Sequence, residues 1–251
     1  MLKKEKISKI KILSDEWFDS RLGKFTSSEI HFICSDKFLT TGFLSYVYRK
    51  VGEVLTGKSG KGEIDTEATR WGAYHEADAI KKLAKHLGLD YMVCQQLITE
   101  TGSRFGSTPD GIIVNRESAD KLQYDVTPAE IKCPPTYANY IGLALCETPQ
   151  DLKKEDKIYY WQVLDQMDNC DSLNGYFGAY HPEFMQGNMR IIEFRKMQEV
   201  GIERSSYNGE EKTTEIKFPI AKDLAFLKER KKMAVELFDE VKEKLILLGK
   251  Y

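Results

Sequence analysis

Apolar and polar residues recur along the chain with two different periods, and the change between them divides it. Up to about residue 88 the apolar positions follow a helical spacing. Residues 15–23 read as a short helix closed by Gly23. Thr26-Ser27-Ser28-Glu29 has the T-x-x-E form of a capping box and predicts a helix to about Cys34. Residues 41–55 predict another helix, followed by a polar, glycine-rich loop from Gly57 to Gly62. A long helix is predicted from about Asp65 to Leu87, stopped by Gly88.

Beyond that point the runs are short and strand-like: 91–99, 104–106, 111–115, 122–126 and 129–133, the last ended by Pro134-Pro135. Helices follow over 136–146 and 156–169, then strands over 175–181 and 189–196. The polar segment 201–215 reads as a loop, and a final helix covers about 221–248 with Leu224, Leu227, Leu237, Val241 and Leu245 at helical spacings. This order predicts a mixed α/β domain with one central sheet flanked by helices. The 251 residues fit a single domain, with N-terminal helices 14–88, a sheet core 89–200 and a C-terminal helix 221–248.

Charge narrows the classes of partner. Lys+Arg 37 against Asp+Glu 39 gives a net charge of −2, which excludes a diffusely basic, histone-like coat. A nucleic-acid partner would have to meet a local basic surface or bound metal ions. Two local clusters exist: residues 1–12 carry five Lys against one Glu, and Lys228, Arg230, Lys231 and Lys232 stand close together. Both fit DNA contacts, and both fit solvated faces. The cysteines (34, 94, 133, 146 and 170) are odd in number and lack C-x-x-C spacing. That argues against a disulfide framework, a zinc ribbon or an iron–sulfur cluster, and for a reduced, cytoplasmic protein. No apolar run approaches the ~18–20 residues of a membrane span, and no apolar stretch follows the charged start, so neither a span nor a signal peptide is expected.

The chemistry begins at Glu130-Ile131-Lys132. Side chains alternate along a strand, so Glu130 and Lys132 share one face while Ala129, Ile131 and Cys133 share the other. A lone E-x-K is most often a solvent-facing ion pair. Pro109-Asp110-Gly111 is, by itself, a turn signature. Together they read P-D-(19 residues)-E-x-K, which sets a carboxylate at one strand start beside a strand bearing Glu and Lys. Two carboxylates suit Mg²⁺, a hard ion that keeps several waters. Lys132 could then orient or help deprotonate water, the equipment for metal-assisted phosphodiester hydrolysis. On the long helix, Gly72, Ala73, Ala79, Ile80, Leu83 and Leu87 fall within about 60° of Glu76 on a helical wheel, which puts a carboxylate in the apolar stripe. Such a group needs a donor, a cation or a metal. On the 156–169 helix, Gln162, Asp165, Gln166 and Asn169 form a polar stripe opposite Tyr160, Val163 and Met167, and spacing leaves open whether Gln162 faces a cleft or water.

These residues, in this order, resemble the lambda-exonuclease (YqaJ-type) family of viral recombination nucleases within the PD-(D/E)xK superfamily. The resemblance is carried by Trp17, Arg21-Leu22-Gly23 and Thr26-Ser27-Ser28, by Trp71-Gly72 and Glu76, by Thr108-Pro109-Asp110-Gly111, by Glu130-Ile131-Lys132-Cys133-Pro134, and by Tyr160-Trp161-Gln162-Val163. It implies a restriction-endonuclease-like core and Mg²⁺-dependent 5′→3′ hydrolysis of one strand of duplex DNA, with Mn²⁺ able to substitute. By position, Asp110, Glu130 and the Ile131 carbonyl resemble metal ligands, and Lys132 resembles the residue that positions or activates the attacking water. Glu76 resembles a helix-borne acid supporting a metal or the water, and Gln162 a glutamine orienting the catalytic region. Arg21, Ser28 and Thr108 fall where the family binds the terminal 5′-phosphate, a task suited to a guanidinium, which can hold two oxygens at once. Thr108 replaces a serine there, Gln166 stands where many relatives carry Tyr, and 115–128 is a long polar segment that suits either a DNA-touching hairpin or a surface loop.

The resemblance further implies a homotrimeric ring around DNA, a single-strand annealing protein as partner, and a phage or prophage protein acting in the bacterial host cytoplasm. An endonuclease of the same superfamily and a catalytically idle DNA-binding protein are the competing readings. The terminal-phosphate residues speak against the first, and the intact Asp110, Glu130 and Lys132 against the second.

Overall fold

The computed structural model describes residues 15–37, 39–60, 66–94, 97–100, 102–115, 125–184, 189–207 and 210–251. The lysine-rich stretch 1–12 and the middle of the 115–128 segment lie outside the described residues. The helical first part is α1 (Asp15–Arg21), α2 (Thr41–Thr56) and α3 (Glu67–Leu87). Thr40 caps α2 by accepting from the Phe43 N–H, and Thr66 and Thr69 cap α3 reciprocally. Gly57 and Gly88 end these helices at φ 65° and 67°, the left-handed region where glycine is strain-free.

The strands are β1 (Phe25–Thr26), β2 (Asp90–Val93), β3 (Phe105–Gly106), β4 (Gly111–Asn115), β5 (Asp125–Lys132), β6 (Asn174–Tyr180), β7 (Met189–Arg195), β8 (Val200–Tyr207) and β9 (Glu210–Lys217). Five of them form the central sheet in the order β2-β4-β5-β6-β7. All neighbours in it are antiparallel except β5 and β6. A parallel pair needs a long crossover. Here it is α4 (Tyr137–Ala144), α5 (Pro149–Glu155) and α6 (Lys157–Asn169). The chain closes with α7 (Pro219–Leu247). This is the expected mixed α/β architecture, a central mixed sheet flanked by helices.

The two faces of the sheet are covered differently. Ala79, Ile80, Leu83 and Ala84 of α3 pack on Ile113, Ala129, Ile131 and Tyr176. On the other side Tyr160, Val163, Leu164 and Met167 of α6 pack with Phe177, Ile192, Phe194 and, from α7, Leu227, Ala234 and Phe238. Each of the Ile, Leu, Val, Phe and Met side chains among these stabilises the fold by about 1.5–3 kcal/mol when fully buried. Because β5 alternates, Ile131 points to α3 and Glu130 to α6. Among the described residues no helix is long and apolar enough to cross a membrane. None of the five cysteines is in a disulfide.

Several expectations need correction. Ser27–Phe32 is a 3-10 helix without a capping box, and Thr26 makes no side-chain cap bond. The other side chains of that motif are engaged elsewhere, Ser27 donating to Asp165 and Glu29 accepting from Arg49. The runs 122–126 and 129–133 are not separate strands: β5 passes through Pro128. The missing N–H is tolerated because β6 joins β5 only from Ala129 onward. The predicted loop 201–215 is the β8–β9 hairpin, paired only with itself. It lacks the one-sided apolar alternation that marks a strand in sequence, although Asn208-Gly209 is a hairpin-turn signal. On α3, Ala73, which the wheel placed in the apolar stripe, is exposed, and Ala84, which it did not, is buried.

Candidate active site

The β4–β5 register brings the two acidic motifs together. Gly111 lies opposite Ala129, which sets Asp110, in the bend before β4, beside the Glu130–Ile131 stretch. Asp110 Oδ2 accepts the Ile131 N–H at 2.6 Å. Lys132, two residues on from Glu130, extends beside it and ion-pairs with Glu130 Oε1. Glu130 itself is 1% exposed, beneath α6. Gln162 Nε2 donates to Glu130 Oε1 at 2.6 Å, and Gln166 Nε2 donates to Oε2 at 2.5 Å. Two glutamines one helical turn apart thus orient one carboxylate.

The electrostatics show a surplus of negative charge. Burial, then Glu130, push the Asp110 carboxyl well above the ordinary carboxylate range, against the pull of Lys132. Glu76, half-buried on α3, is raised for the same reasons in the same order. For Lys132 burial opposes the charge, but Glu130 and Asp110 outweigh it and hold the ammonium above its usual value. Lys132 is therefore a cationic donor, its Nζ 5.0 Å from the Tyr159 ring centroid. Three carboxyl groups thus share one ammonium.

That deficit of positive charge is the observation against which Mg²⁺ can be tested. Among the described residues no three His, Cys, Asp or Glu side chains converge on one point for a metal. The donor set on offer is two carboxylates, Asp110 and Glu130, with the Ile131 carbonyl nearby. All are hard oxygens, and they fit a dication that keeps much of its water.

The second group lies on α1 and the stretch after β3. The Arg21 guanidinium stacks 4.2 Å over the Trp17 ring, and Nη1 donates to Thr108 Oγ1 at 3.2 Å. Burial lowers its pKa, opposed by Tyr46, Glu29 and Glu53. One neutral acceptor leaves most of its five donors for an anion. The turn that follows is pinned by Glu53, whose Oε2 accepts from Gly23 N–H at 3.0 Å and from Lys50 Nζ at 2.9 Å. Gly23 sits at φ 68°, and an added Cβ would meet Val54 Cγ2 at 2.1 Å. Ser28 is exposed on the 3-10 helix, and its neighbour Ser27 turns inward to Asp165 at 2.6 Å.

The structure therefore joins Lys132 and Gln162 directly to Glu130, sets Asp110 against the Ile131 N–H between Glu130 and Lys132, and places Glu76 in their field. It joins Arg21 to Thr108 directly, and shows Ser28 bonded to neither. Gln162 faces the carboxylates rather than water. Gln166 entered the sequence reading only as part of a polar stripe and as a departure from relatives, with no role at the site, and Tyr159 did not enter it. The i,i+4 spacing of Gln162 and Gln166 is the signal that finds the first, whereas nothing local marks Tyr159. The basic run near 230 is largely structural. Lys231 Nζ lies 2.5 Å from Asp165 and 2.7 Å from Asp168, and Arg230 donates to the Ser35 carbonyl at 2.8 Å.

Comparison with solved structures places this fold. An alkaline exonuclease, LHK-Exo from Laribacter hongkongensis, superposes with a TM-score of 0.63 at 19% identity, covering 94% of this chain and 98% of that one. LHK-Exo in complex with dAMP gives 0.64 at 20% identity, with the same coverage. A phage related exonuclease from Haemophilus somnus 129PT gives 0.55 at 16% identity, covering 88% and 96%. These likenesses establish a shared fold over nearly the full length. No curated protein matches the chain. The model of the YqaJ-like viral recombinase domain matches residues 16–171, which contain Arg21, Glu76, Thr108, Asp110, Glu130, Lys132 and both glutamines. The chain belongs to the YqaJ-like viral recombinase domain family.

Proposed function

We propose that this protein is a Mg²⁺-dependent exonuclease that degrades one strand of double-stranded DNA from its 5′ end and leaves 3′ single strands for recombination by annealing. The observation that carries the reading is Asp110 set beside the Glu130–Lys132 pair by the β4–β5 register, with Glu76 in their field. Family membership and the likeness in fold to solved exonucleases support it. When bound, Mg²⁺ supplies Lewis-acid polarisation of the scissile phosphate and a route to hydroxide from water at neutral pH. Asp110, Glu130 and the Ile131 carbonyl would hold it, with Glu76 acting directly or through water, and Mn²⁺ would substitute. Gln162 and Gln166 keep Glu130 in one rotamer. The Lys132 ammonium orients water and offsets charge on the phosphate. Arg21, backed by Thr108 and with Ser28 exposed nearby, takes the terminal 5′-phosphate and so fixes which bond reaches the carboxylates.

A homotrimeric ring would let topology replace part of the electrostatic grip that a chain of net charge −2 lacks. A single-strand annealing protein is the proposed partner for the 3′ strand, and the bacterial host cytoplasm the proposed place of action. The test compares 5′-phosphorylated linear, 5′-hydroxyl linear and closed circular duplexes, each with Mg²⁺ and with EDTA. Cutting of the linear duplexes alone, fastest with the 5′-phosphate and abolished by EDTA, is expected. Cutting of closed circles would make the protein an endonuclease, and no cutting with either Mg²⁺ or Mn²⁺ would make it a binding protein.

A further inference from the structure

Traced back from Asp110 through Thr108 and β3, the chain leads away from the carboxylates to Arg104, at a cleft that the proposed chemistry does not use. The cleft, about 600 Å³, opens between the turn after α1, residues 102–105 and α7, and is lined by Lys24, Ser103, Arg104, Phe105, Val235 and Asp239 among others. Lys24 Nζ donates to the Ser103 carbonyl at 2.7 Å and to Thr99 Oγ1 at 3.3 Å, both neutral acceptors. Arg104 stacks 3.8 Å over the Phe238 ring and pairs with Asp239 at 2.9 Å, whose side chain is half exposed. Among the described residues, two cations face one carboxylate in the lining. Burial, then Arg104, hold the Lys24 ammonium below its usual pKa. The cleft is short of negative charge and open to an elongated anion.

Its position identifies the anion. The Lys24 N–H donates to the Arg21 carbonyl at 3.0 Å, so the cleft and the Arg21–Thr108 pair sit on the two sides of one turn. Arg104 precedes Thr108 by four residues, about 13 Å along extended chain. Asp110 lies two residues beyond Thr108, on the far side. Under the proposed function, on which this step rests, the degraded strand ends at Arg21–Thr108 and runs toward Asp110 and Glu130. It has no phosphate to offer past its own end. A nucleic-acid strand that continues beyond this point is the complementary one, which emerges unpaired and 3′-ended. We propose that the Lys24–Arg104 cleft holds the phosphodiester backbone of that 3′ single strand.

The test measures binding in EDTA, by fluorescence anisotropy, of a 5′-phosphorylated blunt duplex and of the same duplex carrying a 3′ single-stranded overhang. The overhang is expected to tighten binding to the unaltered protein by about tenfold, the worth of one charge-assisted hydrogen bond. Lys24→Gln should lose that gain, and the salt slope for the overhang duplex should fall by about 0.7, the single-strand value for one cation. Asp239→Asn should act in the opposite direction and enlarge the gain while loosening its own ion pair with Arg104, a combination that a purely structural role does not give. The proposal is overturned if the overhang brings no gain, if Lys24→Gln keeps it, if Lys24→Gln weakens blunt and overhang duplexes equally, or if Asp239→Asn reduces it. It is equally overturned if a deoxynucleoside monophosphate binds the cleft and the overhang does not. Mg²⁺-driven hydrolysis by the same preparation reports separately on the nuclease reading.

Discussion

Replacing Lys231 with methionine separates a structural from a DNA-binding role for the basic run on α7. In the native protein its ammonium lies 2.5 Å from Asp165 and 2.7 Å from Asp168, and it donates to Asn169 Oδ1 at 3.1 Å. Asp165 is 0% exposed and also takes Ser27 Oγ at 2.6 Å. Burial opposes the charge on Lys231, but the two aspartates outweigh it and raise its pKa. Burial raises Asp165 against the opposing pull of Lys231. Methionine fills a similar volume and strands the carboxylate. Breaking a buried pair from one side costs about 3–5 kcal/mol, or roughly 10 °C in Tm for a chain of this size. The variant escapes part of that cost by protonating Asp165. With Lys231 gone the folded pKa of Asp165 climbs further above its unfolded value. The native state then binds more protons than the unfolded one, so the variant's stability falls as pH rises from the ordinary carboxylate range through the raised value. Urea denaturation at pH 5 and pH 8 is the assay. The loss relative to the native protein should be larger at pH 8, and Asp165→Asn added to Lys231→Met should recover most of it. A loss under about 1 kcal/mol at both pH values, a range typical of exposed ion pairs, would refute the reasoning, particularly if duplex affinity fell instead.

Four further outcomes follow from the geometry. Under the proposed function Lys132→Ala should abolish hydrolysis of linear duplex while leaving duplex binding measurable in EDTA; retained turnover would remove Lys132 from the site. Gln166→Leu leaves Glu130 Oε2 without its 2.5 Å donor, and loss of such an orienting partner costs about 10- to 100-fold in activity, read as kcat on linear duplex. Gly23→Ala forces a side chain into φ 68° with its Cβ 2.1 Å from Val54; preference for a 5′-phosphate should fall, and Val54→Ala should restore part of the thermal stability. Burial raises the Cys146 thiol to about 11, followed by Glu155 and Asp151, from an ordinary 9.0. Between those values the unfolded state loses the proton first, so stability falls as pH rises from 9 to 11, and Cys146→Ala should flatten that part of a Tm-against-pH curve.

How far the site could be read from sequence depended on the distance over which each residue is constrained. Glu130 and Lys132 were legible because strand alternation is local: two residues apart means one face. Asp110 was legible through its turn, and the β4–β5 pairing, a hairpin-type neighbour relation, carried it to Glu130. Gln162 was ambiguous because both stripes of α6 are buried, one in the apolar core and one against Glu130, Ser27 and Lys231. A polar stripe ordinarily marks the solvent side of a helix; here it marks a polar interior that no single helix announces. The same blindness misplaced Lys231 among surface cations, since its partners lie 63 and 66 residues away. Ser27 and Ser28 show the limit at its smallest. Adjacent and chemically identical, one anchors the 3-10 helix to Asp165 and the other faces solvent. Only the 3-10 geometry, which replaced the predicted capping box, decides between them. The residues that fix the chemistry were therefore visible from local pattern. The residues that hold them in place, Gln166, Asp165, Lys231 and Glu53, became visible only when the topology brought distant segments into one buried polar layer.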